Sequence, residues 1–424
     1  MRLFYDVLTY LLLIPYAAYW LVRSLGNRTY LDRLWQRFGF GFPIIERCIW
    51  IHAVSVGEVQ ASIPLIRVLR ERFPQRHILV TTVTPTGAAR LKAVFGDTVH
   101  HAYNPFEFPH AVNNFFTAVN PDVALIIETE IWPNLYRGCG IRNVPLVLAS
   151  ARISPRSVPG YGHLLPLIRE TLSHGIIIAA QSQSDAERFL ALGASSDRTR
   201  ITGNIKFDLE LPPQIQQQGA AFRSETIGER PAWIAASTHD GEERQVLAAH
   251  RVLLEQIPNL LLILVPRHPE RFSDVRELVE KSGFSVVSRT ENRVCPPDVA
   301  VFLGDTMGEV PLFYAACDIA FVGGSLIPVG GHNLLEPAAQ GLPMLTGPHV
   351  FNTQDIADMF VARDACHMVQ NKEELAASIA DLFANPDKAH ELGQKGLALL
   401  EENRGALSRL LVLIEPLLEQ QFRV

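Results

Sequence analysis

Twice along this chain, short apolar runs rich in β-branched and aliphatic residues take turns with amphipathic stretches of helical period. This rhythm constrains the fold most, because apolar runs without alternation have to be covered on both faces, as in a parallel sheet flanked by helices. The first series reads as strands over residues 49–56, 78–83, 123–127, 146–150 and 176–181, ending near 201–207. The second reads as strands over 233–236, 260–265, 299–303, 319–322 and 343–345. The two even open alike, Trp50-Ile51-His52-Ala53 against Trp233-Ile234-Ala235-Ala236, each ahead of an acidic helix start. With 424 residues, too many for one ordinary core, the pattern predicts two doubly wound α/β domains facing across a cleft. Residues 209–230, rich in Pro and Gln and lacking an apolar period, read as the connection between them.

Ahead of this body lies an apolar segment, residues 3–22, interrupted only by Asp6, Thr9 and Pro15. About twenty such residues suffice for a helix to cross the hydrocarbon core. No basic start or cleavage site marks a signal peptide. Arg23, Arg28, Arg33, Arg37 and Arg47 follow, against Asp32 and Glu46, so a membrane segment here would leave the remaining chain in the cytoplasm. A helix lying in the interface and a buried core helix are the alternatives. The net charge of −6 gives no sign of nucleic-acid binding. Five scattered cysteines, Cys48, Cys139, Cys295, Cys317 and Cys366, form no CxxC pair and read as small core residues of a reducing compartment.

In doubly wound folds ligands sit beyond the carboxyl ends of the strands, so the polar residues there carry the chemistry. Ser55-Val56-Gly57-Glu58 stands at the first strand–helix junction, where Glu58 either removes a proton from an attacking hydroxyl or complements the helix dipole. Glu128-Thr129-Glu130 follows the third strand, and on an extended segment its two carboxylates point the same way. No histidine or DxD accompanies them, which weakens a metal-dependent transfer. Lys206 ends the first series, either as a cation for a leaving phosphate or as a structural partner of Asp208. In the second series Pro266-Arg267 offers a guanidinium, and Met307-Gly308-Glu309 lies in a strand–helix turn. The fullest signal is Gly323-Gly324-Ser325 with Gly330-Gly331-His332-Asn333-Leu334-Leu335-Glu336: a glycine-rich loop feeding a helix whose N-terminus attracts phosphate. Glu336 is placed there to accept both hydroxyl protons of a nucleotide ribose.

Together the runs SVGE, TVTPTG, ETEIWPN, GNIKFD, VPRHPERF, GDTMGE and GGHNLLEP, in this order, resemble the bacterial Kdo (3-deoxy-D-manno-octulosonic acid) transferases. The resemblance implies a GT-B fold, with a membrane-associating helix over 1–26, an acceptor-binding domain over 27–210 and a donor-binding domain over 211–424. It implies Glu58 as general base and Glu128 with Lys206 as stabilisers of the transition state. Pro266, Arg267, Met307, Gly308, Glu309, Asn333, Leu334, Leu335 and Glu336 would bind the CMP part of the donor, the two leucines through their backbone. The implied reaction is metal-free, cofactor-free, inverting transfer from CMP-Kdo to a lipid A precursor (lipid IVA), at the cytoplasmic side of the inner membrane among its lipids. Other readings of the same residues are a GT-B enzyme using a UDP-sugar, a sugar-nucleotide epimerase, and a catalytically silent membrane-anchored nucleotide-binding scaffold.

Overall fold

The computed structural model describes residues 1–26, 28–155 and 157–420. The chain forms two compact units, Met1–Asp208 with Asn403–Val424, and Leu209–Glu402. Each holds one seven-stranded sheet, and every strand pairing is parallel.

The first sheet contains β1 (Cys48–His52), β2 (His77–Thr82), β3 (His100–Tyr103), β4 (Pro121–Ile127), β5 (Leu146–Ala151), β6 (Ile177–Ala180) and β7 (Thr199–Ile201), in the order β3-β2-β1-β4-β5-β6-β7. Its central strands alternate between two cores. Trp50, Ala124 and Ile126 pack on one face, Ile49, Ile51, Val123, Leu125 and Ile127 on the other. The second sheet repeats the plan with β8 (Ala232–Thr238), β9 (Leu261–Pro266), β10 (Val286–Ser288), β11 (Val301–Leu303), β12 (Ile319–Val322), β13 (Met344–Thr346) and β14 (His367–Met368), ordered β10-β11-β9-β8-β12-β13-β14. The doubly wound expectation therefore holds in each unit. Strands β3, β7, β10 and β14 escaped the sequence reading or were misplaced by it, because each has at most four residues and lies at or next to a sheet edge.

The helices used below are α1 (Arg2–Leu11), α2 (Leu13–Gly26), α3 (Val56–Arg72), α4 (Pro133–Ile141), α5 (Glu242–Gln256) and α6 (Ala406–Gln420). Three expectations need correction. The apolar N-terminal segment is two helices bent by 46° about Leu12, and no single helix is long and apolar enough to cross a membrane. The expected connection over 209–230 is folded into the second unit: Ile215–Phe222 is helical, and Phe222 packs edge-on against Phe302 and Phe313. Nor does the second domain run from 211 to 424. Ala406, Leu410, Leu411, Ile414 and Leu418 of α6 bury themselves in the first unit's core with Leu125 and Val147. Asp208 holds α6 there by accepting the backbone N–H groups of Gly405 (2.6 Å) and Leu407 (2.5 Å), and the Arg409 guanidinium donates to the Thr202 carbonyl. All five cysteines are free and buried, as core residues should be.

Candidate active site

In both sheets the strand order reverses beside the first strand, at β1/β4 and at β8/β12. Loops leaving neighbouring strands on opposite sides of such a point splay apart and leave room for a ligand.

In the first unit, β1 ends at His52 and Ser55 caps α3, its hydroxyl accepting the Glu58 N–H at 3.3 Å. Glu58 turns back, accepting the Val54 N–H at 2.7 Å and the Ser55 hydroxyl at 3.0 Å. This is a reciprocal cap of the helix N-terminus. The capping role weighed from the sequence is thus real, and it leaves the carboxylate with only two hydrogen-bond donors. Burial, followed by the nearby charges of Glu128 and Glu130, pushes the Glu58 pKa up to about 8. Such a group takes a proton near neutral pH far more readily than an ordinary carboxylate.

Glu128 leaves β4 with φ of 62°, in the left-handed region. That conformation costs a non-glycine residue about 1–3 kcal/mol and is concentrated at functional sites. The extended geometry expected for the two carboxylates of Glu128-Thr129-Glu130 is therefore corrected to a turn. Glu130 accepts the Trp132 indole N–H at 2.6 Å, while Glu128 forms an ion pair with Lys206 at 2.5 Å. Lys206 thus pairs with Glu128 and not with Asp208, which caps α6. Just beyond this turn the backbone N–H groups of Asn134 (2.6 Å) and Leu135 (3.1 Å), in the first turn of α4, are accepted by Glu107, whose pKa burial lifts to about 7. Sequence reasoning missed Glu107, for it is far from α4 in the chain and nothing local marks it as a cap.

In the second unit Pro266 closes β9, and the Arg267 N–H donates to the Thr238 carbonyl at 3.0 Å, bringing that segment beside the end of β8. Met307 is exposed, Gly308 takes φ of 86°, and the Glu309 carboxylate pairs with Arg289 at 2.9 Å. The Leu334 and Leu335 side chains are buried, which leaves their backbone to face a ligand. Asn333 accepts the Leu335 N–H at 3.1 Å and donates to Glu336 at 3.3 Å.

The glycine-rich loop departs from expectation. The N–H groups of Gly324 (2.7 Å), Ser325 (3.0 Å) and Leu326 (2.9 Å) all donate to the fully buried Glu242 carboxylate. A Cβ on Gly323 would lie 2.8 Å from that carboxylate, so only glycine fits there. This nest of N–H groups is filled from inside the protein and is not open to phosphate. Above it His239 Nε2 meets His332 Nε2 at 2.8 Å, and burial with neighbouring His and Arg charges holds their pKa values at about 4 and about 3. His239 and Glu242 were not singled out from the sequence, although the matched openings of the two series pointed to this junction. Among the described residues no three His, Cys, Asp or Glu side chains gather as a metal-binding set.

The family model described as 3-Deoxy-D-manno-octulosonic-acid transferase (kdotransferase) matches residues 32–209, and that of Glycosyl transferases group 1 matches 229–398. A 3-deoxy-D-manno-octulosonic acid transferase of Haemophilus influenzae is 42% identical over 402 residues, 94% of this chain and 94% of that one. One from Bordetella pertussis is 35% identical, covering 87% of this chain and 86% of that one. Among solved structures, a UDP-GlcNAc 2-epimerase from Neisseria meningitidis bound to UDP-GlcNAc superposes with a TM-score of 0.56 over 88% of this chain and 100% of that one. At 14% identity it shares the fold alone. Two parallel-sheet α/β domains of GT-B type, with this identity across almost the whole of both chains, show that the protein is a glycosyltransferase and belongs to the family of 3-deoxy-D-manno-octulosonic acid transferases.

Proposed function

We propose that this protein transfers Kdo from CMP-Kdo to a hydroxyl of a lipid A precursor, lipid IVA, in lipopolysaccharide biosynthesis, at the cytoplasmic face of the inner membrane. The names of its relatives support the sugar. The observation that carries the mechanism is Glu58, buried, short of donors and raised to a pKa of about 8 beside two other carboxylates. It accepts the proton of the acceptor hydroxyl as that oxygen bonds to the anomeric carbon of Kdo. The bond from that carbon to the phosphate oxygen breaks in the same step, its electron pair leaving with CMP. One displacement inverts the centre, and neither a metal ion nor a cofactor is required.

Lys206, held by Glu128, and Arg267 supply fixed positive charge for the departing phosphate, an electrostatic term that preorganised groups provide without reorganisation. The backbone of Asn333 to Leu335, the Glu336 carboxylate, the Pro266-Arg267 segment and the turn at Met307-Gly308-Glu309 form the CMP side of the site. Arginines beyond α2 are suited to anionic headgroups.

The decisive experiment mixes purified protein in detergent with CMP-Kdo and a tetraacylated lipid A precursor, with and without EDTA. Product should form in both, be lost in Glu58→Ala, and show by mass how many Kdo units are added. A folded wild-type protein that gives no product from CMP-Kdo, and binds UDP in preference to CMP, overturns the donor and leaves a UDP-sugar transferase.

A further inference from the structure

Helix α1 is inside out. A surface helix of a water-soluble protein buries its apolar stripe and shows its polar one. Here Arg2, Tyr5, Asp6 and Thr9 face the protein, while Leu3, Phe4, Val7, Leu8 and Leu11 face outward. The outward stripe continues onto α2, and Leu3, Leu11, Ile14 and Leu25 are each at least 70% exposed. At one flank Tyr10 stacks on His110, and Phe40, also exposed, packs against the same imidazole. At the other, exposed Arg23 lies over the rings of Tyr19 and Tyr30.

Both ends of the helix pair are fastened to the same unit. At the start, Arg2 bonds the side chain of Asn134, the Pro133 carbonyl and Glu170, and the Tyr5 hydroxyl donates to Glu107 at 3.0 Å. Towards the end, Trp20 is buried against Tyr30 and Phe106 with the Arg37 guanidinium 4.0 Å from its ring centroid. A segment that crossed a bilayer would put these ends on opposite sides of roughly 30 Å of hydrocarbon. One set of contacts would then have to break, leaving Glu107 and Asn134 or Trp20 and Arg37 without their partners.

We infer that α1 and α2 lie in the plane of one leaflet, as a docking face for an anionic lipid surface, and do not span it. The occupant is lipid because the stripe is apolar along its whole length, while aromatic and arginine side chains, the groups that prefer the headgroup layer, stand at its margins. Glu107, which takes the Tyr5 hydroxyl, also caps α4 immediately after Glu128 and Glu130. A docked leaflet therefore lies one hydrogen-bonded layer from the catalytic turn, where a lipid acceptor has to present its sugar. This part rests on the function proposed above; the docking itself does not.

The test uses the full chain with vesicles of phosphatidylethanolamine and phosphatidylglycerol. The native cysteines are buried, so nitroxides can be placed singly through Leu3→Cys, Ile14→Cys and Leu25→Cys. Oxygen and nickel-chelate accessibility should put all three at one shallow depth, roughly 5–10 Å into the boundary layer. A probe at 14 lying far deeper than those at 3 and 25 is the spanning profile and overturns the inference. So does a water-like profile at all three, or spin–spin coupling with no lipid depth, the mark of a second copy on this face. Leu3→Ser/Leu11→Ser/Leu25→Ser should lower the vesicle partition coefficient by at least about tenfold without altering the circular dichroism. Kdo transfer is assayed on the same vesicles: shallow depth without transfer sinks the functional reading alone, and transfer with a spanning profile sinks only the docking.

Discussion

Glu58 and Glu242 occupy the same place in the two units, the first turn of the helix that follows the first strand, beside the point where the strand order reverses. Their surroundings differ in one respect. Glu242 is met by four backbone N–H groups, three from the glycine-rich loop and one from His239 at 3.3 Å, which consume its capacity as an acceptor. Glu58 is met by two donors and by two further carboxylates. The position is inherited from the fold; whether it serves as a structural clamp or as a base is decided by how many donors the neighbouring strand's loop turns towards it.

This contrast can be broken in several ways. Glu58→Gln should lower kcat by about 10²–10⁴-fold while CMP binding by calorimetry stays intact, since it removes a base and keeps most of the cap. An unchanged kcat would reduce Glu58 to a cap and erase the difference. Glu242→Ala should act oppositely, destabilising the protein by about 3 kcal/mol in urea unfolding, because it strands several buried N–H groups. Its effect on transfer should appear mainly in KM for the donor.

The pH profile sharpens the comparison further. A base has to be ionised, and Glu58 is neutral below its raised pKa of about 8. Hence kcat should fall about tenfold per pH unit below that value and level off above it. In Glu128→Gln the midpoint should move down, for one of the charges that raises it is gone. A midpoint that stays in place would show that burial alone sets it. The smallest effect is expected from Asp208→Ala, which uncaps α6 and should cost about 1–2 kcal/mol, seen as faster proteolysis of the last helix.

The difference between the two glutamates was half legible in the chain. The twin openings located both junctions, and the strand-end rule then put Glu58, Glu128, Arg267 and the loop before Glu336 where chemistry was expected. The motifs could not say that Glu128 sits in a turn, nor that the glycine-rich nest is already occupied. Both depend on groups far apart in sequence: Glu242 lies 82 residues from Gly324.

What the sequence determined by itself is what local pattern can encode: two parallel sheets, their helices, and the ends of the strands that carry polar residues. Periodicity acts within a few residues, and burial follows from it directly. Only the tertiary structure decided that the chain's last helix returns to the first unit, that Lys206 chooses Glu128 over Asp208, and that an apolar segment of membrane length bends at Leu12 and is tied down at both ends. In each case two local solutions were of similar energy, and contacts with distant segments selected between them.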